Sequence, residues 1–142
     1  MSTEKNKALV RHFFEEVLNQ GKLALIDELH VPDFVYHNAS RTIHGLESFK
    51  QYLSMLLTAF PDLHVTIEDM IGEGDRVVVR FTFRGTHQGD LRGIPPTGKQ
   101  VAVRGIDILC AANGKVVEEW ANIDELGLMQ QLGVILVPGQ AS

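Results

Sequence analysis

The sequence has little cysteine, no excess of positive charge and no long apolar run, and each shortage removes a class of protein. A single cysteine, Cys110, leaves no internal disulfide and ties the chain to no redox compartment. Lysine and arginine number 13 against 18 aspartates and glutamates, a net charge of −5, so the basic footprint of a nucleic-acid surface is missing. No stretch approaches the roughly 18 apolar residues of a membrane span. The first residues, MSTEKNKALV, are charged and carry no apolar core of signal-peptide type. The expectation is a cytoplasmic protein with neither nucleic acid nor membrane as partner. Transition-metal spacing (HExxH, or a Cys/His cluster) is missing, as is GxSxG. The run GIPPTGK is a proline turn ahead of a strand, with no helix behind it to hold phosphate.

What is present suits one globular domain. The 142 residues are 44% hydrophobic with mean hydropathy near zero, enough for one sizeable core. Apolar residues at Leu9, Val10, Phe13, Phe14, Val17 and Leu18 mark one face of a helix over 3–19, capped by Ser2 or Thr3 and closed by Gly21. A short helix fits 23–29. Aromatic and β-branched residues make 33–38 a strand. A third helix runs over 46–59, with a stripe of Phe49, Leu53, Leu56, Leu57 and Phe60. The period then changes to two. Leu63, Val65, Ile67 and Ile71 share one face of a strand, and Val77, Val79, Phe81, Phe83, Gly85 and His87 one face of the next. A loop of turn formers over 88–99 leads to a strand over 100–112, and Asn113-Gly114 marks a hairpin into the last strand. Helices first and a four-strand meander after them predict an α+β fold, a curved antiparallel sheet wrapped around helices. The expected domain is 1–133, with 134–142 an arm or a disordered tail.

The last strand carries the candidate chemistry. Alternation puts Trp120, Asn122 and Asp124 on one face and Val117, Glu119, Ala121 and Ile123 on the other. If Asn113-Gly114 is a two-residue turn, Trp120 opposes Asp107, Asn122 opposes Gly105 and Asp124 opposes Val103, so Asp107, Trp120, Asn122 and Asp124 share a face. An aromatic, an amide and carboxylates on one face predict a pocket there. A carboxyl in such a pocket has its pKa raised toward neutrality and suits general acid/base work. Two readings stay open for Asp124: the acid/base of the pocket, or simply the N-cap of the helix ELGLMQQLG. His37 and His87 are the histidines placed to join the pocket. Cys110 alternates away from Asp124 and is expected to be inert. Arg76, Arg80, Arg84 and Arg104 are expected on the outer sheet face or paired with carboxylates.

The pattern as a whole resembles the SnoaL-like polyketide cyclase (ester cyclase) family. The resemblance rests on Asn19-Gln20-Gly21; Asp33-Phe34-Val35 with His37; Phe60-Pro61-Asp62; Gly74-Asp75-Arg76-Val77; Arg84-Gly85-Thr86-His87; Gly93 to Gly98; Gly114-Lys115 with Glu118 and Trp120; and Asp124 leading to Gln131-Leu132-Gly133. It implies the cone-shaped barrel of the nuclear-transport-factor-2-like superfold around three N-terminal helices, usually a homodimer, with a pocket for a small apolar molecule. It also implies intramolecular aldol cyclisation of a polyketide-type ester without metal or cofactor. By that resemblance Asp124 is the acid/base with His37 beside it; Trp120, Asn122, Asp107 and His87 are expected to contact substrate from their own placement in the strands. The same fold also hosts isomerases, epoxide hydrolases and non-catalytic ligand binders. A limonene-type epoxide hydrolase would need an arginine between two aspartates, and Arg104 alternates away from Asp107.

Overall fold

In the computed structural model, residues 2–136 and Gly139 are described. Helix α1 (Thr3–His12) is capped by Ser2, whose hydroxyl accepts from the Lys5 N–H at 3.1 Å. It continues as a π-helical turn, Phe13–Leu18. The wider turn points Phe13, Phe14 and Val17 inward together, all buried. Asn19 then ties this end to the sheet, accepting from the Val65 N–H at 2.7 Å and donating to its carbonyl at 3.0 Å. A 3-10 turn (Leu23–Leu25) and the short α2 (Ile26–Leu29) follow, and α3 spans Leu46–Ala59.

Six strands form one curved, unclosed sheet in the order β2-β1-β6-β5-β4-β3. They are β1 (His30–His37), β2 (Thr42–His44), β3 (His64–Glu73), β4 (Arg76–Thr86), β5 (Gln100–Ala112) and β6 (Lys115–Ile123). The predicted meander is β3 to β6, each antiparallel to its neighbour. Two details differ from the expected antiparallel barrel. The sheet stays open, with β2 and β3 as its edges, and β1 lies parallel to β6. Parallel pairing is possible because the connection between them carries a helix and four strands, far more chain than a hairpin. The β1–β6 register slips between His30 and Val35, around Pro32, which has no N–H to give to the ladder.

Helices α1 to α3 and the π turn fill the concave side. The core includes Phe34 from β1, Phe49 and Leu53 from α3, Val77, Val79 and Phe81 from β4, and Val101, Val103 and Leu109 from β5. Helix α4 (Glu125–Leu132) closes one end with Leu128 and Leu132, and Gly133 ends it at φ +82°. Of the expected C-terminal arm or tail, residues 137, 138 and 140–142 lie outside the described residues. Val134, Ile135 and Leu136 are exposed. No helix among the described residues is long and apolar enough to cross a membrane.

Two bulges correct the predicted faces. In β3 the register slips between Ile67 and Asp69, so alternation does not carry through and Ile71 turns out to solvent. In β6 the hairpin begins as predicted, with Ala112 opposite Lys115 and Asn113 and Gly114 both at positive φ. Ala111 then faces Val116 but Cys110 faces Glu118, leaving Val117 as the extra residue. Every later side chain is turned over. Asp107 therefore opposes Ala121 rather than Trp120, and Trp120 opposes Ile108. The inward face of β6 is Glu119, Ala121 and Ile123.

Candidate active site

A cavity of about 100 Å³ lies between the concave sheet face and the helices. Its walls are mostly apolar: Phe13 and Phe14 from the π turn, Phe49, Leu53 and Leu56 from α3, Phe81 and Phe83 from β4, and Leu128 from α4. Gly105 makes room for one wall, since a Cβ there would stand 2.5 Å from the Phe81 ring. The polar lining is small and specific: Asp107, Glu119, Tyr36, Tyr52, Arg92 and Glu125. A second space of about 30 Å³ adjoins it between Tyr36, Tyr52, Asn38 and Glu125.

Asp107 and Glu119 form the centre of this lining. They come from neighbouring strands, on the diagonal set by the pairs Asp107–Ala121 and Leu109–Glu119. Only 6% and 2% of their surfaces are exposed. Asp107 Oδ1 and Glu119 Oε1 have no hydrogen-bond partner among the described residues. Among the described residues no cation is paired with either carboxyl. Burial raises the Asp107 pKa to about 6, against the lowering effect of its hydrogen bonds to Glu119 and to the Asn122 N–H. Burial also raises Glu119 well above the usual carboxylate range, and the charge and hydrogen bond of Asp107 push it further. Two carboxyls so close in an apolar space cannot both ionise. Burial thus favours the protonated form of both carboxyls, and more strongly that of Glu119.

Two tyrosines stand beside them. Tyr36 alternates inward on β1, and its ring lies 5.2 Å from that of Tyr52 on α3. Burial raises the Tyr36 pKa, with Tyr52, Glu119 and Asp107 adding to the effect, so it stays a hydroxyl donor. Asn38 donates to the Tyr52 hydroxyl at 3.5 Å, and the Arg41 guanidinium sits 5.1 Å from the Tyr52 ring centroid.

Of the residues expected at the site, Asp107 lines the cavity and the others do not. Asp124 is exposed and caps α4, its Oδ1 accepting from the Gly127 N–H at 2.9 Å. A Cβ on Gly127 would run into that carboxylate. His37 and Trp120 are together, but on the outer sheet face, stacked at 5.3 Å with an 8° tilt. His37 Nε2 lies 2.6 Å from Glu118 Oε2, and the Arg76 guanidinium covers Trp120 at 5.4 Å. Asn122 is exposed on the outer face, paired with Ile106. His87 is buried under Phe60, where it fastens the 88–99 loop. Its Nδ1 accepts from the Thr97 N–H at 3.2 Å, while its backbone bonds Lys99 O and the Gly98 N–H. Glu119, Tyr36, Tyr52, Arg92 and Glu125 were not singled out from sequence. The doubled run Val116-Val117-Glu118-Glu119 is the signal that could have placed Glu119, because it breaks the period of two where the bulge falls. Among the described residues no group of three His, Cys, Asp or Glu side chains could hold a metal ion.

Fold and site together define a helix-filled curved sheet with two buried carboxyls in an apolar cavity. Residues 8–132 match the SnoaL-like polyketide cyclase family. Aklanonic acid methyl ester cyclase DnrD from Streptomyces peucetius is 30% identical over 139 residues, covering 94% of this chain and 92% of that protein. AclR of Streptomyces galilaeus, a candidate hydroxylase, superposes with a TM-score of 0.86 at 32% identity, covering 97% of this chain and 87% of that one. A candidate SnoaL-like polyketide cyclase from Jannaschia sp. CCS1 gives 0.88 at 27% identity, with 94% of each chain covered. The chain belongs to the SnoaL-like polyketide cyclase family.

Proposed function

We propose that the protein is an acid/base enzyme acting on a small apolar carbonyl compound, and that Asp107 and Glu119 do the proton transfers. One observation carries the reading: two carboxyls buried side by side in an apolar cavity, with no cation paired to them among the described residues. Buried charge of this kind is costly to the fold and is characteristic of functional sites. Asp124, the acid/base expected from the family pattern, is committed to the helix cap and gives way to this pair in the proposal.

For an intramolecular aldol closure the proton balance is simple. Ionised Asp107 removes a proton alpha to a carbonyl, and the C–H electron pair becomes an enolate. The enolate carbon attacks a second carbonyl of the same molecule, forming the C–C bond and an alkoxide. Protonated Glu119 gives its proton to the alkoxide, and the proton taken by Asp107 restores the pair. The Tyr36 hydroxyl can donate to the developing enolate oxygen. The apolar walls hold the chain folded, worth up to about 7–11 kcal/mol of barrier in favourable intramolecular reactions.

The reading is tested with a keto-ester able to close a ring by aldol addition. Purified protein should convert it, and Asp107→Asn and Glu119→Gln should not. Conversion by both variants would overturn the assignment. A second reading, oxygenation of the same kind of ligand, is supported by the likeness to AclR. Oxygen uptake that tracks substrate loss would favour it over cyclisation. We also propose a homodimer, supported by Ile71 and Ile106, apolar and exposed on the outer sheet face. Light scattering that reads the 15.8 kDa chain mass at micromolar concentration would overturn that.

A further inference from the structure

Among the described residues that line the cavity, Arg92 is the one cation. Its position is built with care. The Leu91 N–H donates to the Ile94 carbonyl at 3.0 Å and the Ile94 N–H returns the bond at 2.9 Å, closing a two-residue turn. Arg92 and Gly93 both have positive φ, +47° and +89°, as a type I′ turn requires. A non-glycine residue keeps that conformation only where its surroundings impose it. Here Leu91 is buried beside it, and the Gly93 N–H donates to Asp90 at 3.0 Å. The turn aims the guanidinium at the exposed end of the cavity, where one nitrogen lies 3.7 Å from a Glu125 oxygen. Such a loose contact leaves most of its five donors open.

We propose that Arg92 determines specificity: it donates to a neutral carbonyl or ester oxygen at the outer end of the ligand, while Glu125 holds carboxylates off. The proposal rests on reading the cavity as the reaction site. Charge decides which oxygen is favoured. Glu125 pairs with the guanidinium, Asp124 precedes it in the chain, Asp90 lies on the same turn, and the ionised member of the carboxyl pair waits inside. A carboxylate ligand meets one cation against these anions. A neutral acceptor takes the charge-assisted bond without the repulsion. The apolar walls receive the hydrocarbon part and add nothing to this choice.

Three probes of one shape separate the terms: 2-methylnaphthalene, methyl 2-naphthoate and 2-naphthoate, titrated by NMR on the methyl signals of Ala121 and Leu128. The wild type should bind the ester at least ~10-fold more tightly than the hydrocarbon, as a hydrogen bond to a charged group implies, and the acid most weakly. Arg92→Met should erase the advantage of the ester and leave the hydrocarbon unchanged. Glu125→Gln should strengthen binding of the acid several-fold. An ester advantage that survives Arg92→Met, or an acid unmoved by Glu125→Gln, overturns the role of Arg92 and leaves the cavity reading intact. If none of the probes shifts Ala121 or Leu128 in the wild type, the cavity does not take such ligands and both readings fall.

Discussion

Glu118 and Glu119 are neighbours in the chain and live in different solvents. Glu118 points out from the sheet, with 36% of its side chain exposed, and sits against His37 in a cluster with Trp120 and Arg76. Glu119 points in, almost fully buried, and shares its surroundings with Asp107 and apolar walls. Water screens the first pair, so it contributes little to stability and little to chemistry. The second lies among apolar walls, and burial together with the charge of Asp107 holds its pKa well above the usual carboxylate range. The difference teaches that in a sheet the face decides what a carboxylate can do. One extra residue, Val117, decides the face.

The comparison breaks most sharply in catalysis. Asp107→Asn and Glu119→Gln should each cut turnover by roughly 10²–10⁴, the usual contribution of a positioned acid or base. Their melting temperatures should hold or rise, since each removes a buried ionisable group. Glu118→Gln should leave turnover within about twofold of wild type, and an inactive Glu118→Gln protein would erase the distinction.

Stability against pH gives the next largest effect. The pKa of Asp107 in the fold is raised from 3.8 to about 6, so its contribution is fully present below about 4 and is lost as pH rises through 6. The loss relative to Asp107→Asn should be about 3 kcal/mol, measured by denaturant titration at pH 4 and pH 8. His30 titrates in the opposite sense. Burial lowers it from 6.5 to about 4 in a cage of Phe13, Phe34 and Phe49. Its unfolded form takes the proton first, so stability is present above 6.5 and is lost as pH falls toward 4, again by about 3 kcal/mol. His30→Phe should flatten the acid limb. A limb unchanged in that variant would mean that His30 is not its source.

Asp124 offers a smaller and more discriminating contrast. As a cap it is replaceable by Asn, so Asp124→Asn should be silent in both stability and turnover, while Asp124→Ala should lose about 1 kcal/mol. If Asp124→Asn loses turnover and keeps its stability, catalysis belongs to Asp124 after all. The smallest effect is expected outside. Glu118→Gln and His37→Gln should each change stability by less than about 1 kcal/mol, with the change shrinking further in salt.

Much of this was legible in the sequence, for identifiable reasons. Helix α3 lies over 46–59 as its apolar spacing and the Gly45 and Pro61 boundaries indicated. The strands from β3 to β6 were marked by period two and by turn residues. Asn113-Gly114 is the tight hairpin that dipeptide favours. What alternation alone could not deliver was everything beyond a bulge. Like residues double at the slip in both strands, Val116-Val117-Glu118-Glu119 in β6 and Glu68-Asp69 in β3, but Val77-Val78-Val79 in β4 does the same with no slip. The hairpin register was right for its first pairs and wrong from Cys110 onward. It therefore put Trp120 and Asn122 inside and Glu119 outside. Asp107 was placed inward through a pairing with Trp120 that the slip replaces by Ala121, and it lines the cavity all the same. Tyr36, Tyr52 and Arg92 meet only in three dimensions, from a strand, a helix and a loop that share no local pattern.

The central claim is that Asp107 and Glu119 hold one proton between them at neutral pH. A carbon-detected NMR titration of the side-chain carboxyls, assigned with Asp107→Asn and Glu119→Gln, measures it directly. The account predicts one step near pH 6 and a second far above the normal carboxylate range. Two independent steps near pH 4, leaving both carboxyls ionised at pH 7, would contradict it.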